Sequence, residues 1–192
     1  MKVLAINGSP RRNGNTQIML EEAAKPLRRA RVAVEFASIM DYNIRPCNGC
    51  EVCYKKPWHC PIKDDALKML KRMADADALL IGSPVYGADV TAQLRALLDR
   101  SIIPYINQDF KDKVGGAISV GEGSHGGQEF AVLQIMSFFA FHGMVVASPE
   151  GGLFGAMGTA RNRGDIKKDK EGLKSARSLG SRMAELLKRM AQ

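Results

Sequence analysis

The chain lacks what a membrane or nucleic-acid protein needs. No apolar run approaches the roughly 20 residues of a bilayer-spanning helix. The first residues read directly as a strand, with no signal peptide ahead of them. The expectation is a cytoplasmic protein with no membrane association. Formal net charge is +8, and residues 161–192 hold ten Lys/Arg against four Asp/Glu, yet that stretch contains no aromatic residue. Nucleic-acid readers interleave basic and aromatic residues or carry a known reader motif. The stretch has helical spacing instead, so its charges read as the wet face of a terminal helix, and no nucleic-acid partner is expected. The Gly-rich stretch from Ala5 to Thr16 is neither a G-x-G-x-x-G fingerprint nor a Walker A sequence, which argues against a dinucleotide Rossmann site and a nucleoside triphosphatase. No acid–base dyad or activated nucleophile stands out, so no catalytic side chain is assigned. Cysteine is absent outside residues 47–60.

What is present reads as an α/β protein. At 192 residues, 45% hydrophobic and 25% charged, the composition is that of an ordinary soluble domain with a full core. Val3–Ile6 is a short apolar run, followed by a helical segment from Thr16 to about Arg31 with Met19, Leu20, Ala23, Ala24 and Leu27 on one side. Pro26 predicts a kink or early end there. Residues 32–36 read as strand two. A long irregular stretch, about 41–64, is followed by a helix over about 65–74. The continuous apolar run 78–82 fits a central parallel strand covered on both faces. Helices are predicted over 91–100, 128–141 and 169–190, and strands over 114–120 and 144–147. Residues 149–168 read as Gly-rich and irregular. Five strands alternating with helices predict an open doubly wound parallel sheet of flavodoxin type, order 2-1-3-4-5. One domain spans 1–192, with a cysteine-rich loop at about 41–64 and no internal repeat.

In such a sheet every strand-to-helix turn lies at the carboxyl edge, where ligands bind. The turns at 8–16, 83–87 and 121–127 should therefore share one crevice. The first joins a strand to a helix start, whose unpaired N–H groups and partial positive charge favour an anion. Ser9, Asn13, Asn15 and Thr16 add small donors, and Arg11 adds a planar fork suited to phosphate oxygens. Pro84, Val85 and Tyr86, with close-approach glycines, suit a flat ring. Phosphate plus flat ring in this fold suggests FMN.

Gly8-Ser9-Pro10-Arg11-x-x-Gly14-Asn15-Thr16, Ser83-Pro84-Val85-Tyr86-Gly87 running to Leu98-Asp99-Arg100, and Gly126-Gly127-Gln128-Glu129 together resemble the NADPH-dependent FMN reductase family over nearly the whole chain. The resemblance implies FMN with its phosphate at Ser9, Arg11, Asn13, Asn15 and Thr16. It implies an isoalloxazine against Pro84, Val85, Tyr86 and Gly87, near Gly121, Gly126 and Gly127. His125 departs from the pattern, since relatives often carry Arg just before the glycine pair.

The cysteines run Cys47-x2-Cys50-x2-Cys53-x6-Cys60-Pro61. This spacing resembles the ferredoxin run for a [4Fe–4S] cluster, with Cys60 closing the same site. Four thiolates also suit zinc, although structural zinc usually takes two separated Cys pairs, and a chain that binds neither stays open. On such a chain the motif resembles the iron–sulfur flavoproteins, known chiefly from anaerobic archaea and bacteria. That resemblance implies one FMN and one [4Fe–4S] cluster per subunit and a homo-oligomer, a dimer or a tetramer. The function expected is electron transfer between a carrier such as ferredoxin and an acceptor through FMN. The alternative is an NAD(P)H-dependent FMN or quinone reductase without a working cluster. Because the cysteine loop follows strand two, it is expected at the carboxyl edge, with a cluster roughly 10–15 Å from a flavin. Phe138, Phe139 and Phe141 crowd one helix end as a candidate subunit contact.

Overall fold

The computed structural model describes residues 1–191. In chain order its elements are β1 (Lys2–Asn7), α1 (Asn15–Arg29), β2 (Ala33–Ser38), the short α2 (Val52–Lys55), α3 (Ala66–Ala74), β3 (Ala78–Pro84), α4 (Ala92–Arg100), the short α5 (Ile102–Ile106), β4 (Val114–Gly121), α6 (Gln128–Phe141), β5 (Val145–Ala147), β6 (Ala156–Thr159) and α7 (Lys170–Met190). The strands form one parallel sheet in the order β2-β1-β3-β4-β5, with β6 also paired to β4.

The central strands are apolar along their length because helices cover both faces. Val3 and Ala5 of β1 and Leu80 of β3 face one layer, where they meet Met19, Leu20, Ala23 and Leu27 of α1 and Leu179 and Met183 of α7. Leu4 and Ile6 of β1 and Leu79 and Ile81 of β3 face the other, against Met69 and Met73 of α3, Leu94 and Leu97 of α4 and Ile135 of α6. The period-two alternation of strand side chains divides one hydrophobic run between two cores.

Two sequence expectations change. Pro26 lies inside α1, yet the helix continues to Arg29. A proline there takes one N–H from the ladder, and the packing of α1 along α7, with Arg177 of α7 bonded to Glu22 at 3.0 Å, holds the turn regardless. Residues 149–168 also contain a strand. β5 covers only Val114–Gly116 of β4, and β6 covers Ile118–Gly121. The fifth position of the sheet is thus shared by two short strands, with residues 148–155 looping out between them. Ala-Met-Gly-Thr has weak strand propensity by itself, so the free edge of β4 makes it a strand. Phe138 and Phe139 are buried in the core, and only Phe141 is exposed, stacked on Tyr105.

Candidate functional site

The turn after β1 is held by its own side chains and by its neighbours. Ser9 N–H donates to Asn7 Oδ1 at 3.0 Å, and Arg11 N–H to Ser9 Oγ at 3.1 Å. Gly8 N–H donates to the Gly82 carbonyl at 2.7 Å, while Thr91 Oγ1–H donates to the Gly8 carbonyl at 2.6 Å. Gly8 is required here: a Cβ would lie 2.8 Å from Leu94 Cδ2 and 2.9 Å from the Gly82 oxygen. Gly14 is the N-cap of α1. Among the described residues no side chain caps this end, and no acidic residue stands in the first turn. The first amides of α1, Thr16 among them, are therefore left to an anion.

Asn15 is placed differently from a simple donor. Its Nδ2 donates to the Asn162 carbonyl at 2.9 Å, and its Oδ1 accepts the Gly164 N–H at 2.7 Å. It ties the loop after β6 onto the turn, leaving its main-chain N–H for the cleft. Asn13 sits at a φ of 52°. Its carbonyl and that of Arg12 accept from the Arg163 guanidinium, at 3.3 and 2.7 Å.

Four loops border one narrow cleft of ≈ 160 Å³. Ser9, Arg11, Asn15 and Thr16 come from the first, and Pro84, Val85 and Tyr86 from the second. Gly121 and Glu122 come from the third, and Arg161 and Arg163 from the loop after β6. The Arg161 and Glu122 side chains meet across the opening at 3.0 Å. Asn13, Gly87, Gly126 and Gly127 lie outside the lining. Gly87 forms the tight turn in which Tyr86 and Asp89 exchange main-chain hydrogen bonds. Gly127, at a φ of 86°, lies against Val85 and Ala88, so the third loop leans on the second. Buried Gln128 shapes that loop, accepting the Gly126 N–H at 2.8 Å and donating to the Gly123 carbonyl at 2.7 Å. A larger recess of ≈ 600 Å³ lies beyond it, between the starts of α6 and α7. None of its lining comes from the turn after β1, so the narrower cleft is the candidate site.

The cysteines are elsewhere. Arg12 pairs with Asp41 at the carboxyl edge, but from Tyr42 the chain runs down the flank of the sheet. Asn43 is bonded to Asp65 just before α3, and Cys60 lies beside Arg100 at the far end of α4. Trp58 Nε1–H donates at 3.1 Å to Asp109, shortly before β4 begins. The thiol segment is therefore fastened to the start of α3, the end of α4 and the stretch before β4, outside the lining of the cleft. Helix α4 links the two regions. Thr91 at its start holds Gly8, and Arg100 at its end faces Cys60, about 13 Å away along nine residues.

Cys47 and Cys50 are exposed, and Cys53 and Cys60 are half-buried. Among the described residues no three such side chains are gathered closely enough to hold one metal ion. The donor chemistry nevertheless fits a cationic iron–sulfur core. Burial pushes the Cys53 thiol up, and charge on Cys47, Cys60 and Cys50 pushes it further, a repulsion that a bound cation relieves. Cys47 Sγ accepts the Gly49 N–H at 3.5 Å, and Cys60 Sγ accepts from Arg100 at 3.2 Å. Beside Cys60, Asp64 forms a buried pair with Arg100 at 2.8 Å. Burial alone would raise the Asp64 carboxyl, but the guanidinium and the N–H groups of Arg45 and Ala66 hold it below its ordinary value.

The model of the NADPH-dependent FMN reductase family matches residues 1–155. The chain belongs to that family. An iron-sulfur flavoprotein of Methanocaldococcus jannaschii is 42% identical over 190 residues, covering 98% of each chain. An iron-sulfur flavoprotein of Archaeoglobus fulgidus is 36% identical over 195 residues, again 98% of each. Among solved structures, a WrbA-like flavodoxin protein from Agrobacterium tumefaciens aligns with a TM-score of 0.65 at 16% identity, covering 98% of each chain. A flavodoxin from the domain Archaea aligns at 0.64 and 18% identity, covering 98% of this chain and 99% of its own. Likeness at that identity concerns the fold. Family membership makes this chain an FMN-dependent oxidoreductase.

For an FMN reductase family member, the residues that sequence reasoning missed are Glu122, Arg161 and Arg163. Arg161 and Arg163 depend on β6, which brings its following loop to the carboxyl edge, whereas Glu122 directly follows β4. The signal for the two arginines was the short run Ala156–Thr159 with both of them within the next four residues.

Proposed function

We propose that the chain is an electron-transfer flavoprotein that carries FMN in the four-loop cleft and a [4Fe–4S] cluster on Cys47, Cys50, Cys53 and Cys60. The observation that carries the FMN placement is the uncapped start of α1 opening into the same cleft as Tyr86, Gly121 and Arg163. Arg11, Ser9 and the first amides of α1, including those of Asn15 and Thr16, hold the phosphate. Asn13 contributes through the turn that its left-handed backbone closes. Pro84, Val85 and Tyr86 form the apolar side against a flat ring. Gly87, Gly126 and Gly127 keep the second and third loops in contact, and Gly121 makes room for the Gln128 amide, which a Cβ there would meet at 2.6 Å. When bound, FMN takes up one or two electrons and the cluster one at a time. The protein's part is to hold both, to keep the flavin side narrow and to leave the thiol side near the surface.

The electron partner in this reading is a one-electron carrier protein such as ferredoxin, and the setting is the cytoplasm. Among the described residues no helix is long and apolar enough to cross a membrane. Anaerobic purification followed by iron, sulfide, zinc and flavin analysis tests the cofactors. Iron and sulfide in equal amounts with bound flavin are expected, and zinc or empty thiols would overturn the cluster. A second reading is an NAD(P)H-dependent FMN or quinone reductase without a cluster. The open spacing of the thiols favours it, and NAD(P)H oxidation at full rate by iron-free protein would select it. We also propose a homo-oligomer, since Phe130, Leu133 and Phe141 expose apolar surface along α6. Light scattering reporting a monomer at micromolar concentration removes that assignment.

A further inference from the structure

Arg100 is only 1% exposed, so its charge needs partners within the protein. Its Nη1 donates to Asp64 Oδ2 at 2.8 Å and to the Arg45 carbonyl at 2.9 Å. Its Nη2 donates to Asp64 Oδ1 at 3.3 Å and to Cys60 Sγ at 3.2 Å. Its Nε is buried and has no partner among the described residues. One side chain thus grips the cysteine segment at both ends, ahead of Cys47 and at Cys60. A plain ion pair would explain the contacts to Asp64. It does not explain why a buried guanidinium places a donor on sulfur while its own Nε has no partner. A neutral thiol is a weak acceptor. A metal-bound thiolate is a strong one, and an N–H donated to it is a charge-assisted bond.

We propose that Arg100 is a positioning residue for the iron–sulfur site, fixing Cys60 as a ligand and tuning the cluster through an N–H···S hydrogen bond. Asp64 holds the guanidinium in place and offsets its charge. Hydrogen bonds to cluster sulfurs are one of the means by which proteins set the reduction potential. The fork geometry matters: Arg100 makes four bonds from two nitrogens, whereas lysine at this position keeps the charge beside Asp64 but has a single nitrogen with three N–H groups and cannot reproduce the fork. The inference rests on the reading that the four cysteines hold a cluster.

The test compares anaerobically prepared wild-type protein with Arg100→Lys. The expected result is a more negative cluster midpoint potential, read by redox titration with electron paramagnetic resonance. Iron loss to a chelator should quicken by about 10-fold or more, the usual scale for removing a partner of a metal ligand. Flavin content should stay unchanged. A second measurement needs no variant. Wild-type protein grown with 15N-arginine and reduced should show magnetic coupling between the cluster and a guanidinium nitrogen. An unchanged potential in Arg100→Lys, or no nitrogen coupling in the wild type, overturns the role of Arg100 while the cluster reading stands. Wild-type protein without iron and sulfide overturns that reading, and the proposal falls with it.

Discussion

The two ends of helix α4 hold two differently built sites. At its start, the cleft is formed by short turns that directly follow strands, locked by a main-chain hydrogen bond from Gly8 to Gly82 and by the Thr91 hydroxyl donating to the Gly8 carbonyl. Its anion donors are backbone amides that the fold itself positions. At its end, the cysteine segment has little regular structure, and side chains fasten it: Asp64, Arg100 and Trp58. Three residues there, Gly49, Glu51 and Trp58, have positive φ. The first site is ready before its ligand arrives. The second has its donors in one segment, with Arg100 already against one of them, and a bound core must complete the convergence.

The largest expected effect separates the two. Cys50→Ser should abolish stable iron and sulfide binding yet leave flavin stoichiometry and affinity unchanged, because no atom of residues 41–64 lines the cleft. Ferredoxin-linked reduction of the flavin should slow greatly in the same variant. Anaerobic stopped-flow at the wild-type rate would show that the thiol site is off the route, and loss of flavin would show that the two sites are not separable.

The flank that carries the thiols also carries a pH-sensitive group. His142 is buried among Tyr105, Phe110, Phe138 and Phe141, with its Nε2 at 2.9 Å from Ser101 Oγ, next to Arg100. Burial lowers its pKa from 6.5 to about 4. The folded protein therefore keeps the ring neutral where the unfolded chain already binds a proton. The stability is fully present above about pH 6.5 and is lost as pH falls toward about 4, by up to about 3 kcal/mol. Urea unfolding across that range should show a steeper decline for wild type than for His142→Gln. Parallel profiles would mean that the ring is accessible to protons in the folded state.

The difference between the sites also explains what could be read from the sequence. The strands were legible because β1 and β3 carry short continuous apolar runs and β4, Val-Gly-Gly-Ala-Ile-Ser-Val-Gly, is buried throughout with no charged residue. The first three loops of the cleft were legible because each is local: a strand, a Gly-containing turn and a helix start adjacent in the chain. The fourth loop was not, since β6 exists only through pairing with β4, far back in the sequence. The Arg100–Asp64–Cys60 contact joins residues 36 and 40 positions apart, and no periodicity marks it. The anchoring of the cysteines was not legible for a related reason: Asp64, Arg100 and Trp58 fasten the segment through contacts distant in the chain. Asn15 was expected as a side-chain donor to phosphate, but its side chain secures a loop that the sequence did not reveal.

The smallest effect sharpens the comparison within the cleft itself. Arg11 and Arg163 both line it, but only Arg163 is bonded to the carbonyls of the phosphate turn. If the turn is a preformed cradle, the two arginines act differently. Arg11→Ala removes a charged donor to phosphate and should weaken FMN by about 1.5–3 kcal/mol, while Arg163→Ala loosens the turn and should cost about 0.5–1.5 kcal/mol, the scale of ordinary hydrogen bonds. Riboflavin has the ring but no phosphate, so its affinity should be little changed by either substitution. Fluorescence titration with both flavins gives the comparison. Equal losses for FMN and riboflavin in Arg163→Ala would mean that Arg163 shapes the ring side of the cleft. No loss for either flavin would mean that the first turn of α1 holds the phosphate without help from the loop after β6.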